Sequence, residues 1–273
     1  MKHFISFILS LVMLSGYSTA FAGYALRFDG NNDVVRLDHR CMDGLTDCTV
    51  EYWVLIHQQG QASSTFSCAH SDQEDNEYLH YFTFENGLRP HIRGQAPQQG
   101  GWDFPLDEWF HLALTRDGDT GDWIAYVNGE ELDRGRLPSG EIRVAERGCV
   151  LGQEQDAVGG RFDVSQAHRG QLDELRIWNR VLTVDEINAR MHSLIDPETE
   201  GLVAYYRFDE GEGQVVGDLT ANGFDGFLGD REGEDGADPQ WLESEAGVYG
   251  GVVALSRDRV AFGPAAVGTS PEA

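Results

Sequence analysis

Oxygen-bearing side chains gather in two separated stretches of this 273-residue chain. The first is Asp75-Asn76 within QEDNE; the second opens with Glu154-Gln155-Asp156 in LGQEQD and runs on to Asp163 and Gln166. Carboxylates and amide carbonyls are hard donors, and calcium takes ~6 to 8 such oxygens at ~2.3 to 2.6 Å. Asp75, Glu154, Asp156 and Asp163 would be half neutralised by one calcium and fully by two, so a paired site is electrostatically reasonable. Gly159-Gly160 lets the backbone of the second stretch fold back onto bound ions. Charge alone favours a plainer reading, in which these are ordinary acidic loop residues.

Arrangements for catalysis are weaker. A retaining glycosidase needs two carboxyl groups ~5 to 5.5 Å apart, and the nearest candidates, Asp173 and Glu174, are adjacent strand residues expected to point to opposite faces. His111 in WFHLALT has no serine or cysteine partner motif nearby and reads as a packed strand histidine. DGDTGD at 117–122 has Asn128 where an EF-hand needs Glu, so a hairpin tip is the better reading. No residue is assigned a catalytic role, and the chain is read as a binding protein rather than an enzyme.

The elements that must position these residues read almost entirely as strands. Runs at 49–56, 64–70, 77–84, 110–116, 122–129, 147–153 and 171–179 are short, rich in β-branched and aromatic residues, and bounded by Gly, Asp, Asn or Pro. Two further runs flank a tight turn at Asp29-Gly30-Asn31-Asn32, and another strand lies within 201–211. The pattern predicts an all-β, two-sheet antiparallel sandwich. One short helix is predicted over 184–192, capped by Thr183 with Glu186 three residues on.

Composition narrows the partners. Twenty Lys and Arg stand against 46 Asp and Glu, a net charge of −26, which argues against nucleic acid and anionic membrane surfaces. Residues 1–22, with Lys2, an apolar run and Ala20-Phe21-Ala22, read as a signal peptide. The expected protein is therefore secreted, extracellular or periplasmic, and no later run is long enough to span a bilayer. Cys41, Cys48, Cys68 and Cys149 make an even count in an exported chain, which reads as two disulfides. The organisation expected is a signal at 1–22, one β domain over 23–248, and a hairpin or disordered tail over 249–273.

LRFDGNNDVVRL, TVEYWV, EWFHLALTRDG, AYVNGE, LDELRIWNRVLTVDEI and LVAYYRFDEGEGQVVGDLTANGFDGFLGD resemble the LamG-like jelly roll of the concanavalin A-like lectin/glucanase fold. DNEYLHYF and LGQEQDAVGGRFDVSQ resemble pentraxins. The resemblance implies a jelly roll with the first strand beside the strand near Tyr205, and a calcium-dependent lectin. Asp75, Asn76, Glu154, Asp156 and the main-chain carbonyl of Gln155 would hold one ion; Glu154, Asp156, Asp163 and Gln166 would hold a second. Asp163 stands where pentraxins usually have Glu.

The ions would bridge to phosphate or acidic sugar oxygens of a glycan or phosphorylated, anionic cell-surface ligand, with Tyr81 as an apolar neighbour. Arg89 and Arg93 suit an anionic ligand or are solvated strand residues. Glu51 and Ala113 occupy the positions of the pentraxin disulfide, so the resemblance leaves a different staple: Cys68 with Cys149 if the two acidic stretches meet, and Cys41 with Cys48. A homo-oligomer is compatible with the resemblance. The alternatives are an adhesive or structural LamG module without a small ligand, and a glycoside hydrolase of the same fold.

Overall fold

The computed structural model describes residues 23–57, 62–72, 76–83, 87–97, 104–231 and 233–248. Residues 1–22 and 249–273, assigned above to a signal and a tail, lie outside the described residues, as does Asp75. The strands are β1 (Tyr24–Asp29), β2 (Val35–Arg36), β3 (Cys48–Ile56), β4 (Ser63–Cys68), β5 (Tyr78–Thr83), β6 (Gly87–Ile92), β7 (Trp109–Arg116) and β8 (Asp122–Val127). They continue with β9 (Glu130–Arg136), β10 (Cys149–Leu151), β11 (Arg169–Trp178), β12 (Leu202–Tyr206), β13 (Val215–Val216), β14 (Gly226–Leu228) and β15 (Gln240–Glu243). One sheet has the order β15-β1-β11-β3-β7-β8-β9, with β12 also on β11; the other has the order β13-β14-β2-β10-β4-β5-β6. All named pairings are antiparallel. This is the jelly-roll sandwich that the strand pattern implied.

Alternation explains the core. Val50, Tyr52, Val54 and Ile56 of β3, Phe110, Leu112 and Leu114 of β7, and Tyr78 and Phe82 of β5 all join one buried cluster between the sheets. The DGDTGD tip joins β7 to β8, with Asp117 Oδ1 accepting from Thr120 N at 2.8 Å. Asn128 and Gly129, at φ 49° and 74°, turn β8 into β9. The predicted helix is α1 (Val184–Arg190), and both arms of its Thr183/Glu186 capping box are formed.

Two placements depart from expectation. β1 does not lie beside β12: β1 pairs with Arg169 to Leu172 of β11, and β12 pairs with Leu175 to Trp178, so they follow one another along β11. Between them β11 carries a bulge with Glu174 at φ 53°. The bulge also stops side-chain alternation, so Asp173 and Glu174 both turn to the outer side of this sheet rather than to opposite faces. Asp173 is opposite Trp53 there and accepts from Ser244 Oγ, while Glu174 meets Arg176 at 2.8 Å and the Tyr205 hydroxyl at 2.6 Å.

All four cysteines are buried free thiols, so neither predicted disulfide is formed. Cys68 and Cys149 face each other across β4 and β10 with sulfurs 3.5 Å apart, as convergence of their strands required. The 3₁₀ turn His39–Cys41 tucks Cys41 against Cys149, at 3.8 Å, rather than against Cys48. Burial pushes the Cys48 thiol up to about 12.

Candidate functional site

Tyr81 and Arg89 lie on the outer face of the β10-β4-β5-β6 sheet. Along β5, Tyr78 and Phe82 point into the core, so Leu79 and Tyr81 point out. Tyr81 is opposite Arg89 on β6, and Leu79 is opposite His91. His91 stands edge-on to Tyr81 with ring centroids 5.8 Å apart. Burial, reinforced by the Arg89 charge, lowers His91 to about 4 and keeps it neutral at pH 7.

Across this face lies the segment between β10 and β11. Its base is closed by His168 N donating to Gly152 O at 2.8 Å. The buried Gln155 side chain stitches it to the sheet: Nε2 donates to Ser67 O, Ser67 Oγ and Gly148 O at 3.0 to 3.1 Å, and Oε1 accepts from Gly159 N at 2.7 Å. Gly159 has φ 64°, and a Cβ there would come within 2.9 Å of Arg147 O, so the fold-back needs glycine. Asp163 caps the 3₁₀ turn Val164–Gln166 by accepting from Ser165 N at 2.9 Å, a contact that lowers its own pKa.

Two contacts tie the loop to its surroundings. Val158 N donates to Asp72 Oδ1 at 3.2 Å, tying the loop to the segment that leads into Asn76. The Tyr81 hydroxyl is raised by burial and lowered by a hydrogen bond from Gln166; Glu154 and Asp163 raise it further and Arg89 opposes them. Glu154 is buried and Asp156 is exposed. Asn76 O accepts from Gly94 N at 2.9 Å. Gln166 Oε1 is buried and has no hydrogen-bond partner among the described residues, as a donor to a hard cation would be without its ion. Among the described residues, no three Asp, Glu, His or Cys groups form a ready cation cage. The amide oxygens and carboxylates present fit a hard cation in kind, with Asp75 to be added from outside the described residues.

Arg93 does not join this face. At φ 50° it leaves the β6 direction, and its guanidinium donates to Ser139 O at 2.8 Å and Glu141 O at 2.6 Å while lying 3.5 Å from buried Glu77. It clamps the 139–141 segment, so it is neither a ligand-facing arginine nor a merely solvated one. His91 and Asp72 were missed by sequence reasoning. The alternation of Arg89 and His91 in LRPHI gave the signal for the first; the second depends on a loop contact that no local pattern carries.

On the other sheet, the Glu51 and Ala113 pair that replaces the pentraxin bridge is in register. Glu51 accepts from Trp178 Nε1 at 3.0 Å and lies 3.8 Å from Arg176 and 3.5 Å from His111. His111 is buried, and desolvation holds it well below the ordinary histidine range. It is the packed strand histidine that its sequence context suggested.

Comparison with known proteins agrees with this architecture. Neuronal pentraxin-2 of Mus musculus is 42% identical over 81 residues, which are 29% of this chain and 19% of that protein. C-reactive protein 1.1 of Limulus polyphemus is 30% identical over 151 residues, or 52% of this chain and 60% of that one. The chain thus spans less than two thirds of the length of either relative. A solved Bacteroides ovatus structure, described as a candidate carbohydrate-binding protein, superposes with a TM-score of 0.63 at 19% identity, covering 83% of this chain and 61% of that one. The profile of Laminin_G_3, in the concanavalin A-like lectin/glucanases superfamily, matches residues 29–188. With more than half its length so matched, and pentraxins among its relatives, the chain belongs to the Laminin_G_3 family as a pentraxin- and LamG-like domain.

Proposed function

We propose that this protein is an exported, calcium-dependent lectin-like binding protein that holds a carbohydrate or phosphate-bearing ligand through one or two calcium ions. The observation that carries the reading is the bond from Val158 N to Asp72 Oδ1, which brings the 154–166 loop against the stretch leading to Asn76. Asp75, Asn76, Glu154, Asp156 and the Gln155 carbonyl would hold one ion, and Glu154, Asp156, Asp163 and Gln166 the second. When bound, calcium supplies a positive contact for ligand oxygens. The chain's own groups do the rest: Gln155 fixes the loop to the sheet, Gln166 orients the Tyr81 hydroxyl, and Tyr81 with Arg89 edges the ligand. Export rests on residues 1–22, and no helix among the described residues is long and apolar enough to cross a membrane.

Calorimetric titration with calcium tests the site, and a glycan and phospholipid array run with calcium and with chelator tests the function. Uptake of calcium, lost in Glu154→Ala and reduced to one ion in Asp163→Ala, is expected, with array binding abolished by chelator. Absence of uptake by the wild-type chain would sink the proposal. A hydrolytic role is not expected, because Asp173 and Glu174 are both buried in internal contacts. Release of reducing sugar from β-glucans above a heat-killed control would contradict that.

A further inference from the structure

A second pocket opens on the same outer face, on the far side of the loop. One row of paired residues crosses the sheet: Phe227 is opposite Arg36, Arg36 opposite Val150, Val150 opposite Ser67, Ser67 opposite Leu79, and Leu79 opposite His91. Gln155 sits over Ser67 in the middle of that row. The His91 end belongs to the site above. The Phe227 and Arg36 end lines a separate cavity of about 360 Å³, at the small end of the ~300 to 1,000 Å³ usual for ligand pockets.

Arg36 is the unusual group in this cavity. Its side chain is only 4% exposed, yet among the described residues Nε and Nη1 have no hydrogen-bond partner. Nη2 donates to Asp230 at 2.5 Å, and the guanidinium lies 5.7 Å from the Phe162 ring centroid. Two buried guanidinium donors left without acceptors are costly, and a ligand oxygen would relieve that. Since Asp230 already balances the Arg36 charge, the missing acceptor need not be an anion.

The rest of the lining points the same way. Arg40 is held in place by a two-pronged contact with Asp38 and by stacking 4.9 Å over Phe224. Arg40 and Arg147 are matched by Asp38, Glu146 and Asp225 around the cavity. On a chain of net charge −26, an added anion gains little from such a lining. Planar donors and acceptors interspersed around a half-buried aromatic ring suit hydroxyl groups, which both donate and accept, on a ring with an apolar face.

We propose that this pocket binds a neutral sugar ring without calcium, with Arg36 donating to ring or hydroxyl oxygens, Asp38 and Asp225 accepting hydrogen bonds from hydroxyl groups, and Phe227 supporting the apolar face. It stands independently of the calcium reading. The test is an array of neutral gluco-, galacto- and manno-oligosaccharides probed with the full chain in EDTA, followed by calorimetry on any oligosaccharide that binds. At least one neutral oligosaccharide should bind in EDTA, with affinity reduced tenfold or more by Phe227→Ala and by Arg36→Lys, which keeps the charge and removes the fork. Binding should persist in Glu154→Ala, and citrate should not compete. If Arg36→Lys fails to fold by thermal melting, Phe227→Ala and the exposed Arg40→Gln decide the matter. No neutral sugar bound in EDTA, displacement by citrate, or affinity unchanged in Phe227→Ala would overturn the proposal.

Discussion

The outer faces of the two sheets both carry ionisable side chains and treat them differently. On the β3-β11 sheet, Glu51, Glu174, Arg176 and His111 are nearly all buried, and α1 with the segment after it covers them. Arg176 donates to Glu174, and also to Arg190 O and Ser193 O at 3.1 and 2.8 Å. Ile187 of α1 packs with Trp178 and Tyr205 alongside. On the β4-β5 sheet no α-helix covers the face among the described residues. A loop crosses it instead, leaving Tyr81, Arg89 and His91 half-buried on one side and the Arg36 cavity on the other. The same residue types are sealed into internal contacts where a lid satisfies them from above, and stay partly exposed where only a loop crosses them.

Substitution on the covered face gives the largest expected effect. Arg176→Ala leaves Glu51 buried without its arginine and Glu174 with only Arg207, at 3.3 Å, and should cost ~3 to 5 kcal/mol in urea unfolding. Glu154→Ala, measured without calcium, removes a buried carboxylate that lies among other acids and should cost less than Arg176→Ala. Equal losses would erase the distinction. Calcium sharpens it: at a hundredfold excess over its dissociation constant it should stabilise the wild-type chain by ~2.7 kcal/mol and leave Glu154→Ala unmoved, read as thermal midpoints with and without chelator.

The inner side of the open sheet offers a pH test. His80 is bracketed by the Tyr52 and Tyr78 hydroxyls at 2.8 and 3.0 Å, and burial lowers it to about 3. The unfolded chain, with an ordinary value near ~6.5, then binds one more proton than the folded chain between those values. This group's stabilising contribution is therefore complete above about pH 6.5 and falls as pH drops toward 3, by up to ~1.4 kcal/mol per pH unit. His80→Gln should flatten that slope relative to wild type in urea midpoints taken from pH 7 to 4. Parallel slopes would show that His80 is not the titrating group. The smallest effect is at the rim of the lid: Thr183→Ala removes the α1 cap and should cost ~1 kcal/mol in the same assay.

The strands were legible because alternation of apolar residues needs nothing from outside the strand, and the helix because Thr183 and Glu186 complete their contacts within one turn. The β11 bulge was not, since Glu174 adopts a positive φ that no local preference announces, and both the Asp173/Glu174 facing and the tandem placement of β1 and β12 follow from it. Arg93 was misjudged for a related reason: its backbone turns at the end of β6, and its partners are carbonyls some 46 residues away. The calcium set was drawn from family resemblance, whereas the Asp72 contact that holds the loop is visible only in three dimensions. Cys41 and Cys68 gather around Cys149 because a 3₁₀ turn and two paired strands converge there, which spacing alone does not encode.

The closure of the loop base by Gly152 and His168 has a bearing on how such a domain diversifies. The chain leaves and re-enters the sandwich through that bond, and Gln155 adds a second tie to Ser67 and Gly148, so the segment between can vary around these fixed anchors. Lengthening it adds only ~0.6 kcal/mol of closure entropy per doubling. Insertion at the exposed residues 163–165 can therefore occur while the sheets beneath keep their registers, and a grafted loop that kept Gly152, Gln155, Gly159 and His168 would be expected to leave the unfolding midpoint of the sandwich nearly where it was.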